Sequence, residues 1–289
     1  MLRAWVAKEV RAARERRATK LRQARARMGA IRGAEIDAVA RWFAPGRRVL
    51  ELGGGNGYQA SRISEWGCLV DSIDVKPPAP SQTSYYPVRI YDGHHIPFAD
   101  GTFDVVFSST VLEEIEHLDA MLEETRRVLN KNGLAVHVVP TTAWRFWNTA
   151  GYLLKAVRSG LSDLLKTALS VVGATEEAPR RERSTIAEHI RASLRAYGPY
   201  PSAVSELYYY SRWRWRRLFR RHGWRIVHVS GNGIFYTGHG LLPRLPLGAR
   251  KLLSQLLGSP CDVFVIAPNH RSDLPPGVTR RPGPCRAGC

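Results

Sequence analysis

Short apolar runs alternate with amphipathic segments through the first half of the chain. Hydrophobic residues cluster into predicted strands at 49–52, 68–75, 86–91, 103–109 and 134–140. The segments between these strands, such as the one that follows residue 111, place apolar residues at helical spacing instead. Strands that alternate with helices in this order predict an α/β fold with a doubly wound, mostly parallel sheet.

The second half of the chain breaks this alternation. Residues 144–147 are expected to precede a long amphipathic helix, which has apolar residues on one face and polar, mainly basic residues on the other. Residues 207–222 then predict a helix that stops at Gly223, and strands are expected at 225–229 and 263–267. The interleaved arginines and aromatics of 207–222 also suit stacking on nucleic acid, but the helix, glycine stop and strand favour a structural role.

These patterns divide the chain into five parts. They are a basic N-terminal helix (1–28), an α/β core (29–140), a helical insertion or lid (141–206), the C-terminal completion of the sheet (207–269) and a disordered tail (270–289). The first part contains ten Lys and Arg against two Glu, whereas the tail is rich in Arg, Pro and Gly. Within the core, a helix near 34–43 is expected to lead into the first strand.

A glycine-rich turn, Gly53-Gly54-Gly55-Asn56-Gly57, follows the first strand directly. Glycines at a strand-to-helix turn allow positive φ and let a ligand approach the backbone, and the start of a helix offers unpaired N–H groups. The turn therefore suits a nucleotide-like ligand with an anionic group. A turn without a ligand stays open, as does a dinucleotide, because residues 55–60 also fit the loose dinucleotide pattern. Glu51 favours a different ligand, since its carboxylate would crowd a pyrophosphate but could pair with an ammonium group.

Acidic residues also stand where the next two predicted strands end. Asp74 lies about 20 residues after the glycine turn begins, where an acid can accept hydrogen bonds from both ribose hydroxyls. Asp71, in the middle of the same strand, is expected to face solvent or an edge. Asp92 and Gly93 follow the third strand.

Several motifs together resemble class I S-adenosylmethionine-dependent methyltransferases, in particular the small-molecule, type 11-like family that includes quinone-biosynthesis enzymes. They are Glu51-Leu52-Gly53-Gly54-Gly55-Asn56-Gly57, Ile96-Pro97-Phe98-Ala99-Asp100-Gly101-Thr102-Phe103-Asp104-Val105-Val106, Leu112-Glu113, and Glu124-Thr125-Arg126-Arg127-Val128-Leu129 with Gly133. Dehydrogenases do not have this series. The resemblance covers residues 47–140 and implies a Rossmann-like, seven-stranded sheet that carries the cofactor over the carboxyl ends of its first strands.

The resemblance also implies a cofactor, S-adenosyl-L-methionine, and a set of residues that bind it. The glycine turn would hold the cofactor's amino-acid end, Asp74 its ribose, and Asp92 its adenine amino group. The expected cofactor-binding residues are Glu51, Gly53, Gly55, Gly57, Asp74, Val75, Asp92, Gly93, Ser108 and Ser109. The implied reaction is the transfer of a methyl group to an acceptor.

The residues that would catalyse this transfer are not fixed by the sequence. Glu114 replaces the histidine that usually follows Leu-Glu in the family, and that histidine is a base in some relatives. Glu114 and His117 are the candidates for a base, and an oxygen acceptor would need one. His137, within the fifth predicted strand, is expected to be a hydrogen-bonded core histidine rather than a ligand.

The net charge of +18 raises the question of an acidic partner. An RNA methyltransferase is one alternative, but residues 108–111 read Ser-Ser-Thr-Val and lack the N/D-P-P-Y pattern used on exocyclic base amines. A non-catalytic scaffold with the same fold is another, and a dehydrogenase is the last. We expect a small-molecule, glycan or lipid-linked acceptor at an anionic membrane surface, because the basic N-terminal helix and the amphipathic insertion both suit a membrane interface. The oligomeric state stays open.

The four cysteines, Cys68, Cys261, Cys285 and Cys289, show no metal-ligand spacing, and no metal site is expected. Reduced core thiols are typical of a cytoplasmic protein, here with peripheral attachment to the inner face of the membrane as a further expectation. Neither a transmembrane run nor a signal peptide is predicted.

Overall fold

The structure is a computed structural model that describes residues 29–78, 83–171, 194–236 and 245–269, together with the single positions 11, 15, 19, 188 and 191. The predicted basic helix at 1–28 is described only at 11, 15 and 19, all three helical. The predicted tail at 270–289 lies outside the described residues.

The described residues contain one sheet of seven strands, which confirms the predicted doubly wound fold. The strands are β1 (Arg48–Leu52), β2 (Leu69–Asp74), β3 (Arg89–Ile90), β4 (Phe103–Ser109), β5 (Leu129–Pro140), β6 (Trp224–Gly231) and β7 (Cys261–Pro268). Their order is β3-β2-β1-β4-β5-β7-β6. The pairs from β3 through β5 are parallel, whereas β7 lies antiparallel between β5 and β6.

Helices connect and cover these strands. They are α1 (helical residues 29–37), α2 (Tyr58–Glu65), α3 (Leu118–Val128), α4 (Thr142–Val171), α5 (Ala203–Tyr209), α6 (Arg212–Arg221) and α7 (Leu247–Leu257). Short 3₁₀ turns at Ala40–Trp42 and Leu112–Glu114 precede β1 and follow β4. The helix predicted near 34–43 is therefore α1, which begins earlier than expected and ends before the first of these turns.

Two hydrophobic clusters cover the two faces of the sheet. Alternate residues of β1 point to opposite faces, so Val49 packs in one cluster and Leu50 in the other. Trp215, Phe219 and Trp224 are fully buried in the second of these clusters. Trp215 and Phe219 of α6 thus belong to the core, as the structural interpretation of this stretch predicted, whereas Trp213 of the same helix is exposed.

The Glu-x-x-Arg motif of α3 fixes the segment that leads into β4. Arg127 donates to the carbonyl oxygens of Ile96 and Phe98, each at 2.8 Å, and to the carboxylate of Asp100 at 2.8 Å. Glu124 accepts from the Ile96 amide at 2.9 Å and from Arg127. These bonds satisfy backbone groups that have no strand partner, and they hold the segment against α3.

Two strands differ in length from their prediction. β3 spans only Arg89–Ile90 rather than 86–91, because Pro87 has no N–H to donate to a ladder. β5 begins at Leu129 instead of 134, since the Asn130 side chain bonds both Asp104 and the Asn132 amide. Gly133 of the family motif thus lies inside β5, whose irregular start has a register shift opposite Phe103.

The insertion after β5 is dominated by α4. This helix begins at Thr142, so Trp144 and Trp147 lie inside its first turns rather than before it. Arg145 and Glu206, both fully buried, form an ion pair of 2.9 Å that joins α4 to α5. Within the described part of the chain, no helix is both long and apolar enough to cross a bilayer.

Candidate functional site

A cavity of about 1130 Å³ opens where β1, β2 and β4 end. This is the position at which open α/β sheets bind their ligands, because the strand order reverses there. One wall is formed by the glycine turn, the end of β2, the turn after β3 and the end of β4. Residues of α1, of the segment that follows β4 and of the segment after β6 also line the cavity.

The glycine turn needs its glycines for different reasons. A side chain on Gly53 would collide with Val111, and one on Gly54 would collide with the Ser72 hydroxyl. Gly57, with φ of 77°, begins α2, and a Cβ there would lie 2.5 Å from the Tyr86 carbonyl oxygen. Gly55 is different, because its φ is 55° and a Cβ would meet only open space. Gly53 and Gly55 line the cavity, whereas Gly57 lies behind it.

Asp74 ties the end of β2 to this turn. One carboxylate oxygen accepts from the Gly55 amide at 2.7 Å, and the other accepts from the Lys76 amide at 3.2 Å. Asp74 and Val75 line the cavity beside Gly55. Asp71 instead points away from the cavity, as expected, and approaches Arg48 at 3.8 Å on the surface.

Glu51 lies beneath the turn rather than in the cavity wall. Its side chain is 1% exposed, and one oxygen accepts from the Ser72 hydroxyl at 2.6 Å, while Oε1 has no partner among the described residues. Burial raises the pKa of Glu51 to about 7; the Ser72 bond and the nearby Ala60 amide oppose this shift, and the nearby Asp74 adds to it. A buried carboxylate with a free oxygen is a site that a cation can stabilise.

The turn after β3 places one of its two expected residues in the cavity. Gly93 has φ of 80° and lines the wall beside Val75. Asp92 does not line the wall; its Oδ1 accepts from the amides of His94 and His95, each at 2.8 Å, and these bonds lower the pKa of Asp92. Asp92 therefore shapes the turn that presents Gly93 and His94 to the cavity.

The two serines at the end of β4 lie in different surroundings. Ser109 lines the cavity, but Ser108 is fully buried and bonds Nδ1 of His137 at 2.8 Å. His137 is therefore the hydrogen-bonded core residue that was predicted, and burial lowers its pKa to about 3. Thr110 follows with φ of 54°, the one non-glycine residue with positive φ among those described. Such strain is often found at functional sites.

Glu114 and His117, the sequence candidates for a base, both line the cavity and are both exposed. The His117 ring lies 5.8 Å from that of His94, centroid to centroid.

The cavity lining also contains residues that the sequence did not suggest. They are Glu35 and Tyr236, together with Ile31 and Arg32 from α1. A signal for Glu35 does exist, because it stands four residues from both Ile31 and Val39, which are buried. An acid on the apolar face of a helix is unusual and marks a position worth testing.

These residues fit S-adenosylmethionine. The space at Gly55 admits a ligand against backbone, Asp74 presents a carboxylate at the end of β2, and Glu51 has an unpaired oxygen beneath the turn. The amino-acid end of this cofactor has an ammonium group, and its ribose has two hydroxyls. Both can donate hydrogen bonds to these carboxylates.

Residues 13–229 match the family model described as a methyltransferase domain. Among curated proteins, a methyltransferase of Mycobacterium sp. (strain KMS) named as uncharacterized is 35% identical over 105 residues, covering 34% of this chain and 40% of that protein. The demethylmenaquinone methyltransferase of Corynebacterium urealyticum is 33% identical over 93 residues, covering 32% and 40%. The chain thus spans about two fifths of the length of the curated relatives it matches.

Among solved structures, the Burkholderia thailandensis 1,6-didemethyltoxoflavin-N1-methyltransferase, with bound 1,6-didemethyltoxoflavin and S-adenosylhomocysteine, has a TM-score of 0.43. Its sequence is 14% identical, and the match covers 83% of this chain and 79% of that one.

Proposed function

This chain belongs to the methyltransferase domain family, and from that premise we propose that it transfers a methyl group from S-adenosylmethionine to a small-molecule, glycan or lipid-linked acceptor. The observation that supports this most is the glycine turn, which has open space above Gly55 and Asp74 bonded to its amide. Gly53, Val75, Gly93 and Ser109 line the same cavity and Glu51 lies beneath the turn, and we assign all five to the cofactor as well.

The cofactor supplies a methyl carbon attached to a positively charged sulfur, so its leaving group is already activated. The chain's main task is then to hold an acceptor in line with that carbon at near-contact distance. Asp74 would orient the ribose, and the strained Thr110 lies in the same wall at the end of β4. Glu114 and His117 face the same cavity and are candidates to handle the acceptor's proton.

The charges of the cavity favour a small acceptor over RNA. Among the described residues, four carboxylates line the cavity against two always-positive side chains, Arg32 and Lys76; the carboxylates belong to Glu35, Asp74, Glu114 and Glu116. Phosphates are repelled by such a wall, since nucleic-acid sites are usually rich in Lys and Arg. The described lining of the cavity thus does not share the basic character of the whole chain, whose net charge is +18.

An apolar surface on α4 and α7 supports a membrane as the place of action. Its members are large hydrophobic residues, each 45% exposed or more, namely Phe146, Leu153, Leu154, Val157, Leu161, Leu252 and Leu256. The two helices touch, because the Trp147 indole donates to the Leu257 carbonyl at 3.0 Å. An apolar face on a strongly basic protein is suited to the interface of an anionic bilayer.

The acceptor class is tested by following a labelled methyl group. We expect purified protein given methyl-labelled S-adenosylmethionine and a cell extract to place the label in small-molecule or lipid fractions. Label in RNA would replace the proposed acceptor with a nucleic acid. Absence of transfer by a protein that binds S-adenosylhomocysteine would favour the scaffold alternative.

Vesicles test the membrane surface. The protein should co-sediment with vesicles of phosphatidylglycerol and phosphatidylcholine but not with phosphatidylcholine alone. Val157→Asp with Leu161→Asp should reduce this, whereas Leu69→Asp should not, because the three residues are similarly exposed, at 67%, 62% and 61%, and only Leu69 lies away from α4. Tight RNA binding without vesicle binding would contradict the proposal.

A further inference from the structure

Glu35 and Tyr236 both line the cavity and form a hydrogen-bonded pair there. The Tyr236 hydroxyl donates to the Glu35 carboxylate. The Asn232 side-chain amide also approaches Glu35 Oε1 at 3.5 Å. Two different segments, α1 and the chain after β6, thus hold one carboxylate at the cavity in a defined orientation.

The groups around Glu35 leave its carboxylate with a raised proton affinity. Burial raises the pKa of Glu35 above its usual 4.5, while the Tyr236 bond and the charge of Arg32 oppose this shift. Arg32 itself is exposed, and the remaining titratable neighbour, Cys261, is a buried thiol 3.7 Å from the Tyr236 hydroxyl. Burial also raises the pKa of Tyr236 and of Cys261, so both stay neutral near pH 7.

The side chains around this pair suit an acceptor with a ring and a hydroxyl group. Tyr58 and Ile31 line the cavity with Tyr236, and Tyr58 packs edge-on against Tyr85 with 5.4 Å between ring centroids. Aromatic and aliphatic walls bind a flat apolar body, and a single polar group fixes its orientation. A phenol or enol also matches a carboxylate base better than an aliphatic alcohol does, because its own pKa is much closer.

We propose that Glu35, oriented by Tyr236, is the general base that takes the proton from a phenolic or enolic acceptor, so that methylation occurs on oxygen. This inference rests on the proposed methyltransferase function. In the reaction, the acceptor oxygen forms a bond to the methyl carbon. The bond from that carbon to sulfur breaks, and its electron pair stays on sulfur and cancels the positive charge. The hydroxyl proton passes to the Glu35 carboxylate, and water later removes it.

The test uses catechol, 4-nitrophenol and 2-naphthol as probes, with aniline as an amine and [methyl-¹³C]S-adenosylmethionine as donor. The ¹³C shift of the product methyl distinguishes attachment to oxygen, nitrogen or carbon. We expect O-methyl products. Glu35→Gln should keep the hydrogen bonds but lower kcat by at least ~100-fold, the usual contribution of a positioned base. The KM for the donor should stay within about twofold. Glu65→Gln, the same change at an exposed position outside the cavity, should have little effect.

Two further measurements separate catalysis from structure. Tyr236→Phe removes a bond that lowers the pKa of Glu35, so the acidic limb of the pH–rate profile should move to higher pH. In infrared difference spectra of wild type against Glu35→Gln, without donor or acceptor, one carboxyl band should titrate above pH 4.5.

The possible results separate the role of Glu35 from the proposed methyltransferase function. Failure of the wild type to bind S-adenosylhomocysteine in calorimetry would remove the proposed function and this inference together. If binding is intact, methylation of nitrogen or carbon alone, or of none of the phenols, would overturn only the role of Glu35. A full rate in Glu35→Gln, or a larger loss in Glu114→Gln, would do the same.

Discussion

Asp74 is the side chain whose removal should weaken the cofactor most clearly. Its carboxylate accepts from the Gly55 amide at 2.7 Å and lines the cavity where a ribose is expected. Asp74→Ala therefore removes the bond that positions the turn together with the two acceptors for ribose hydroxyls. Asp71→Ala, on the same strand, removes only a surface contact with Arg48 at 3.8 Å.

The magnitude follows from these bonds. Each hydrogen bond to a charged group contributes ~1.5–3 kcal/mol. Water reaches the open turn and replaces part of the loss at Gly55, so we take ~2–4 kcal/mol for the whole change. That corresponds to at least ~30-fold weaker binding of S-adenosylhomocysteine. The half-exposed pair at Asp71 contributes ~0–1 kcal/mol to stability and nothing direct to binding.

Isothermal calorimetry measures the affinity, and thermal unfolding followed by circular dichroism shows whether each variant is folded. The expected result is a large loss for Asp74→Ala and wild-type affinity for Asp71→Ala, with both proteins folded. A loss below ~3-fold for a folded Asp74→Ala, about 0.7 kcal/mol, would refute its role. Equal losses in both variants would mean that the effect is not specific to Asp74 and would refute its assignment to the ribose.

Two other predictions concern buried acids. The pKa of Glu51 is raised from 4.5 to about 7, so its contribution to stability is fully present below pH 4.5 and is lost as the pH rises through about 7. Glu51→Gln should therefore flatten the dependence of Tm on pH between these values. An unchanged dependence in the variant would contradict the raised pKa. Glu206→Gln should lower the free energy of unfolding by ~3–5 kcal/mol in chemical denaturation, because it leaves Arg145 charged and fully buried; a loss below ~1 kcal/mol would show that the pair is not an ion pair in solution.

Much of the fold could be predicted from the sequence because local pattern and motif order agreed. The runs at β1, β4 and β7 are apolar enough to identify strands without tertiary information. The ends of β3 and β5 could not be predicted, since they depend on partners across the sheet. Asn130 holds the irregular start of β5 by bonding Asp104, 26 residues earlier in the chain.

The residues of the candidate site could likewise be predicted only in part. Residues on the glycine turn and at strand ends, such as Gly55 and Asp74, are near in sequence to the motif that marks them. Ser108 matched the family motif equally well. It pairs with His137 of β5, however, and the two side chains form a buried hydrogen bond. Glu35 and Tyr236 are about 200 residues apart, and only the packing of α1 against the chain after β6 brings them together.

We propose that the cofactor lies against the glycine turn at Gly55, and substitutions at Gly55 and Gly46 test this position most directly. Gly55 and Gly46 both have positive φ, 55° and 80°, and a Cβ on either meets nothing within 4 Å. Valine therefore strains the backbone similarly at both positions, but only Gly55 lines the cavity. In calorimetry with S-adenosylhomocysteine, Gly46→Val should bind as the wild type does, and Gly55→Val should be folded and lose binding. Undiminished binding by a folded Gly55→Val would contradict the account.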